Sequence, residues 1–163
     1  MKKKALLILA VLVVIIAAGA AVYVLKGGRS SGQGSDTTEI AIADNTLQIS
    51  TEILGDDVAF VDYDSKGTAM QIILYKDEKG EVHGAFNTCQ VCNGSPYAYF
   101  VQEENNVVCQ NCGNLFALQE IGAVRGGCNP IPLEFTQEGD TIKIDTSYLD
   151  QNASLFKNWK QGI

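Results

Sequence analysis

The sequence contains one histidine, His83, and no serine, histidine and aspartate set arranged for nucleophilic catalysis. It has no glycine-rich nucleotide-binding loop and no internal repeat. After Arg29 the basic residues are Lys66, Lys76, Lys79, Arg125, Lys143, Lys157 and Lys160. All nineteen acidic residues fall from Asp36 onward, so seven against nineteen leaves this part of the chain at −12. Such an acidic balance argues against a nucleic-acid partner, because phosphate binding is driven by lysine and arginine. It reads as a solvated surface, with attraction of cations or of a basic partner as the functional alternative.

What the sequence does have begins with three lysines, Lys2 to Lys4, followed by twenty-one uncharged, largely apolar residues from Ala5 to Leu25. That length matches a helix crossing a hydrocarbon core of about 30 Å. Residues 1–26 are expected to form a membrane anchor. The lysines put the N-terminus in the cytoplasm and the rest outside, as a single-pass protein of the cell membrane. A cleaved signal peptide is the alternative, since Ala18-Gly19-Ala20 has the small residues a signal peptidase accepts. No cysteine closely follows the run, which argues against a lipid-modified terminus. Residues 27–38, "GGRSSGQGSDTT", read as a flexible linker.

From residue 39 to residue 163 the texture is that of an extracytoplasmic β domain: "EIAIA", "TLQIS", "VAFVDYD", "TAMQIILYKD" and "EVHGAF" alternate with turn clusters. Met70 to Ala85 reads as a hairpin that feeds into the first cysteine pair. Further short strands are expected near Tyr97–Val101, Asn106–Cys109, Leu133–Thr136 and Thr141–Asp145. Ser147 to Lys160 has a capping-type serine and apolar residues at Leu149, Leu155, Phe156 and Trp159, a pattern for a short C-terminal helix packed on the sheet. The lone His83 reads as an ordinary strand histidine, with metal ligation as the alternative.

The chemistry lies in the cysteines. "CQVC" at Cys89–Cys92 and "CQNC" at Cys109–Cys112 are separated by sixteen residues, and a fifth thiol follows at Cys128. Each Cys-x-x-Cys turn sets two sulfurs on one side of a tight loop, and two such turns face to face supply a tetrahedral thiolate site. The intervening "YAYFV", "QEENN" and "VV" form a hairpin that would bring the pairs together. Gly94 and Gly113 suit knuckles whose N–H groups point at sulfur. Disulfides are the structural alternative in an oxidising compartment, but they leave one of five thiols unpaired and give the paired symmetry no purpose. Four thiolates satisfy Zn²⁺, a single iron or an iron–sulfur cluster, and the spacing by itself fits a zinc ribbon. A dithiol oxidoreductase would need a thioredoxin-like βαβ context that the sequence lacks, so a carrier or metal-binding protein is expected rather than a stand-alone enzyme.

The strings "AFNTCQVCNG", "VVCQNCGNLFAL" and "RGGCNPIPL", within about Leu54 to Asp145, resemble the membrane iron–sulfur proteins of the FtrD-like family. The resemblance implies a [2Fe-2S] centre held by Cys89, Cys92, Cys109 and Cys112 with Cys128 close by, and an electron-transfer role in iron uptake. It also implies partnership with an iron permease and an extracytoplasmic metal-binding protein. Zinc or mononuclear iron, in a structural or metal-delivery domain, is the alternative. The order of hairpin, ligand pair, second pair, proline loop and closing "GDTIKID" strand is also similar to a Rieske domain. Cysteine stands here at both positions of each ligand loop, where a Rieske domain has one cysteine and one histidine. Four thiolates would lower the potential relative to a histidine-ligated centre. In that arrangement the loop with Cys128 and Pro130 to Pro132 covers the cluster. Cys128 itself reads either as a ligand-exchange or metal-acquiring thiol, or as a small buried residue at a tight Gly-Gly turn.

Overall fold

A computed structural model describes residues 39–163. The expected anchor over 1–26 and linker over 27–38 lie outside the described residues. Among those described, no helix is long and apolar enough to cross a membrane.

The domain is mostly β, built as three antiparallel sheets. The first has β1 (Ile40–Ala43), β2 (Thr46–Ser50), β11 (Thr141–Asp145) and β10 (Thr136–Glu138), in that spatial order. The second has β3 (Ala59–Ser65), β4 (Thr68–Lys76), β5 (Val82–Cys89) and β9 (Pro130–Pro132). The third has β6 (Phe100–Glu103), β7 (Asn106–Cys109) and β8 (Leu115–Ala117). Local chemistry sets the turns. Between β3 and β4 only Lys66 and Gly67 intervene, both at positive φ (53° and 91°), the geometry that suits a two-residue hairpin. The Asp64 carboxylate fixes this turn by accepting the Gly67 N–H at 2.9 Å.

Strand β4 shows why the second sheet sits at the centre. Its Met70, Ile72 and Leu74 alternate with Ile73 and Tyr75, and both sets are buried. The first set packs with Leu47, Ile49, Ile142 and Ile144 of the first sheet and with Phe86, Leu149 and Phe156. The second set packs with Phe100, Val107 and Phe116 of the third sheet and with Cys89 and Cys109. A strand buried on both faces reads as a continuous apolar run, which "IILY" after the polar Gln71 is.

The expected hairpin over Met70–Ala85 forms as β4 and β5, paired from Ile72↔Phe86 to Lys76↔Val82. Asn106–Cys109 and Thr141–Asp145 are strands as expected. Three expectations need correction. Tyr97 and Ala98 belong to a turn in which the Ala98 N–H donates to Ser95 O, so β6 begins only at Phe100. Leu133–Phe135 is not a strand. The strand of that region is Pro130–Pro132, which pairs with Phe86 and Cys89 along one edge of the second sheet, where proline is tolerated. The helix α1 runs only from Thr146 to Gln151. Asp145 rather than Ser147 caps it, accepting the N–H groups of Ser147 (2.7 Å) and Tyr148 (3.0 Å). The Asn152 side chain donates back to Tyr148 O, and the chain tightens into a 3₁₀ turn over Ala153–Phe156. As expected, Phe156 and Trp159 pack inward: Phe156 lies edge-on to Phe86 and to Trp159.

The second and third sheets are joined through Asn87, whose side chain is fully buried. Its Oδ1 accepts the Phe100 N–H at 2.7 Å, and its Nδ2 donates to Phe100 O at 3.1 Å and to Gln71 Oε1 at 2.7 Å. The amide thus imitates a strand neighbour and binds the start of β6 to the end of β5. The Trp159 indole N–H donates to Asn87 O at 2.7 Å and ties the C-terminal turn to the same point.

Truncating this amide leaves the buried Phe100 groups unpaired. Asn87→Ala is expected to destabilise the domain by about 2 kcal/mol, read as a lowered urea midpoint at unchanged slope. A second expectation concerns acid. Hydrogen bonds hold three carboxyls below the usual carboxylate range: Asp77 from the Glu81 N–H foremost, Asp145 from Ser147, and Asp150 from Ser65 and then Lys66. Groups with depressed values stabilise the fold above their unfolded pKa, about 4. That contribution disappears as pH falls through the folded values. The urea midpoint should therefore change little from these three groups above about pH 5 and drop below about pH 4, with Asp150→Asn making the drop shallower.

Candidate metal centre

Cys89 ends β5, Cys109 ends β7, and each is fully buried in the apolar layer shared by the second and third sheets. The pairing of the strands beside them sets their separation. Around the Asn87 seam, the Cys89 N–H donates to Ala98 O (3.0 Å) and the Gln110 N–H donates to Tyr99 O (2.8 Å). The segment Ala98–Phe100 therefore carries one cysteine turn on each side. After each pair the chain reverses through glycine at positive φ, Gly94 at 97° and Gly113 at 72°, as the knuckle reading expects. The Ser95 hydroxyl donates to Asn111 Oδ1 at 2.6 Å and links the two knuckles directly.

The third loop follows the second knuckle in sequence, and amides hold it against both knuckles. The Gln90 side chain accepts the Gly126 N–H (2.9 Å) and donates to Pro130 O (3.3 Å), while the Gln90 N–H donates to Asn129 O (3.0 Å). The Asn114 side chain donates to Cys128 O at 3.0 Å. Gln90 lies inside the first Cys-x-x-Cys and Asn114 just after the second, so each knuckle grips the loop that carries Cys128. Gly126 and Gly127, at φ 83° and 85°, allow the reversal.

Five thiols converge as a result, and none is disulfide-bonded. The sulfurs of Cys89, Cys92, Cys109 and Cys128 all lie within 4.8 Å of one another. Cys128 is central: its Sγ is 3.1 Å from Cys89, 3.9 Å from Cys92 and 2.8 Å from Cys112. Cys112 stands at the exposed rim against Cys128. With metal–sulfur bonds of about 2.3 Å, the edge of a tetrahedral site is about 3.8 Å, so the cage has the dimensions of thiolate coordination. The donor set is purely sulfur, walled by Ala85, Ala98, Phe100 and Ile121, and it fits a thiophilic metal or an iron–sulfur centre.

Burial in this apolar layer pushes the Cys109 thiol up to about 12, partly opposed by N–H groups of Cys112 and Asn111. Burial likewise raises Cys128 and Cys92. Cys112 goes the other way, down to about 7, because the Cys128 thiol and the Asn114 N–H hydrogen-bond to it. Coordinated sulfur is thiolate, so filling the cage releases protons and metal affinity rises with pH.

His83 is not among these groups. It pairs with Tyr75 across β4 and β5, and its Nε2, buried without a hydrogen-bond partner, lies 3.6 Å from Asp77 Oδ2. Asp77, Glu81 and His83 form their own cluster of ligand-type atoms, with Asp77 Oδ1 engaged by the N–H groups of Lys79 and Glu81. Asn87, Gln90 and Asn114 position the thiols although nothing in their spacing marked them. Their signal is chemical: amides within or beside each knuckle, able to donate and accept at once.

A small β domain whose clustered cysteine thiols fit a metal-binding role is the class defined by this fold and site. The chain belongs to the family described as "Membrane iron-sulfur containing protein FtrD-like", whose sequence model matches residues 53–156, more than half of its length. That span takes in all five cysteines, and the family description is of membrane iron–sulfur proteins, in agreement with the resemblance read from the cysteine motifs. No curated protein and no solved structure matches the chain.

In reduced, metal-free protein the thiols should differ in reactivity. Iodoacetamide is expected to modify Cys112 first, with a rate that rises as pH passes about 7, well ahead of the buried Cys89 and Cys109. Peptide mass spectrometry after timed quenching reads the order.

Proposed function

We propose that this chain is a membrane-anchored, extracytoplasmic electron carrier of an iron-uptake system, with an iron–sulfur centre in the cysteine cage. The observation that carries the reading is the four sulfurs within 4.8 Å of one another on two facing knuckles and a third loop. The family match supports the iron–sulfur assignment. The apolar run Ala5–Leu25 supports a single N-terminal span with the domain outside the cell. An iron permease and an extracytoplasmic metal-binding protein are the partners this reading gives it. The Rieske-type comparison belongs to the same reading, with one ligand pair at the end of β5, the other at the end of β7, and the Cys128 loop leading into the proline strand β9 beside them.

When bound, the centre supplies one-electron chemistry. The chain's own contribution is to hold four thiolates at fixed separation in an apolar layer, so that little rearranges when charge changes. Knuckle N–H groups aimed at sulfur stabilise that charge: the Cys92 N–H donates to Cys89 Sγ at 3.4 Å. Gln90 and Asn114 keep the third loop against the knuckles and limit the entry of water.

The compactness of the cage favours a second reading, a single tetrahedral ion. Cys89, Cys92, Cys109 and Cys128, with their sulfurs mutually within 4.8 Å, could together hold one ion. The two readings differ in composition. Full-length protein purified without oxygen is expected to hold two irons and two acid-labile sulfides per chain, with visible charge-transfer bands that dithionite bleaches. Cys109→Ser should abolish the bands. A colourless protein with one zinc per chain would overturn the electron-carrier reading in favour of the second.

A further inference from the structure

The cage contains one more sulfur than a four-coordinate centre uses. Which of the five stands apart follows from geometry and burial, given the reading of the site as a metal centre. Cys89 and Cys109 are fully buried, Cys92 and Cys128 partly so, and these four sulfurs are mutually within 4.8 Å. Cys112 is the exposed one, 2.8 Å from Cys128. Cys128 also touches Cys89 and Cys92, and its carbonyl is held by Asn114. A residue merely filling a Gly-Gly turn has no need of contact with three other sulfurs.

We infer that Cys89, Cys92, Cys109 and Cys128 form the resident ligand set, and that Cys112 is the entry thiol through which a thiophilic metal ion reaches Cys128. On this assignment an incoming ion would be held first at Cys112 and then at Cys128, 2.8 Å away, with the proton that Cys128 gives up passing to Cys112 and no redox change. This assignment departs from the set of two complete Cys-x-x-Cys pairs, because the second pair contributes one ligand and the third loop the other. The physical reason is position. Cys109 is fixed in β7 beneath the apolar layer, whereas Cys112 lies beyond it on the solvent side of the knuckle.

The test uses the full chain purified anaerobically with its metal in place. Iodoacetamide treatment followed by peptide mapping should label Cys112 alone and leave the metal content unchanged. Labelling of Cys128 with Cys112 protected would overturn the assignment. Cys112→Ser should keep the wild-type metal stoichiometry and absorption spectrum, and Cys128→Ser should lose them. The reverse pattern, or loss in both variants, or retention in both, sinks the proposal. The entry role is read separately by adding Co²⁺ to stripped, reduced protein and following its thiolate charge-transfer band. Uptake should be slower in Cys112→Ser than in wild type, and equal rates would overturn that role. If wild-type protein holds no thiolate-bound metal at all, the metal-centre reading itself falls. If it does hold one and only the variant pattern is reversed, the ligand assignment alone falls.

Discussion

The thiol centre is assembled around one seam, the pairing of the Asn87 amide with both backbone groups of Phe100. Cys89 belongs to the second sheet and Cys109 to the third, and nothing in either sheet alone sets the distance between them. Asn87 sets it from two residues away, with an oxygen accepting at 2.7 Å and a nitrogen donating at 3.1 Å. The amide is itself held from Gln71 on β4, and its backbone carbonyl accepts from Trp159 in the C-terminal turn. A buried polar network of this kind is rigid only when every member is satisfied, and here each named group has its partner. The C-terminal segment thereby helps to place the cysteines although it brings no ligand.

Electrostatics explains why such a brace is needed. Thiolates brought together repel, and an apolar layer that excludes water removes the solvent that would otherwise screen them. Without a cation the layer answers by keeping protons on sulfur, which is why burial raises Cys109, Cys128 and Cys92. A bound metal inverts the preference, since its positive charge favours the thiolate form. Metal binding and proton release would therefore be one linked equilibrium. The overall acidity of the domain is a separate matter. The residues at the two knuckles, Gln90, Val91, Asn93, Gln110, Asn111 and Asn114, are uncharged, so the cage is not built from the surface charge.

Much of this was legible before any coordinates because it is written in local patterns. The doubled Cys-x-x-Cys announced the knuckles, the hairpin between them followed from turn residues, and the Met70–Ala85 hairpin followed from its β-prone runs. What escaped was whatever depends on long-range partners. A lone Asn87 in a strand looks unremarkable until Phe100 is beside it. The Rieske-like order places Pro130 to Pro132 in a covering loop, yet these residues form an edge strand, where proline is tolerated. The C-terminal pattern suggested a longer helix, but periodicity does not reveal that Asp145 already satisfies the first turn or that Asn152 competes for the last. Membrane anchoring rests on residues outside the described part and stays with the apolar run and the family.

The placement of the fifth thiol joins these points. A knuckle made only by a Cys-x-x-Cys turn offers both sulfurs equivalently, yet the two turns here are not equivalent. The first is braced by β9 on one side and by the C-terminal segment on the other, where Asn93 donates to Leu155 O and Asn158 donates to Gly94 O. The second turn has no such outer support from the tail, and its outer cysteine faces solvent. The third loop brings Cys128 into that gap, linked to Gln90 of the braced turn and to Asn114 of the open one. Asymmetric bracing thus creates a closed side and an open side in a motif that looks symmetric in sequence. The loading route proposed above would use that difference, with Cys112 on the open side and Cys128 behind it.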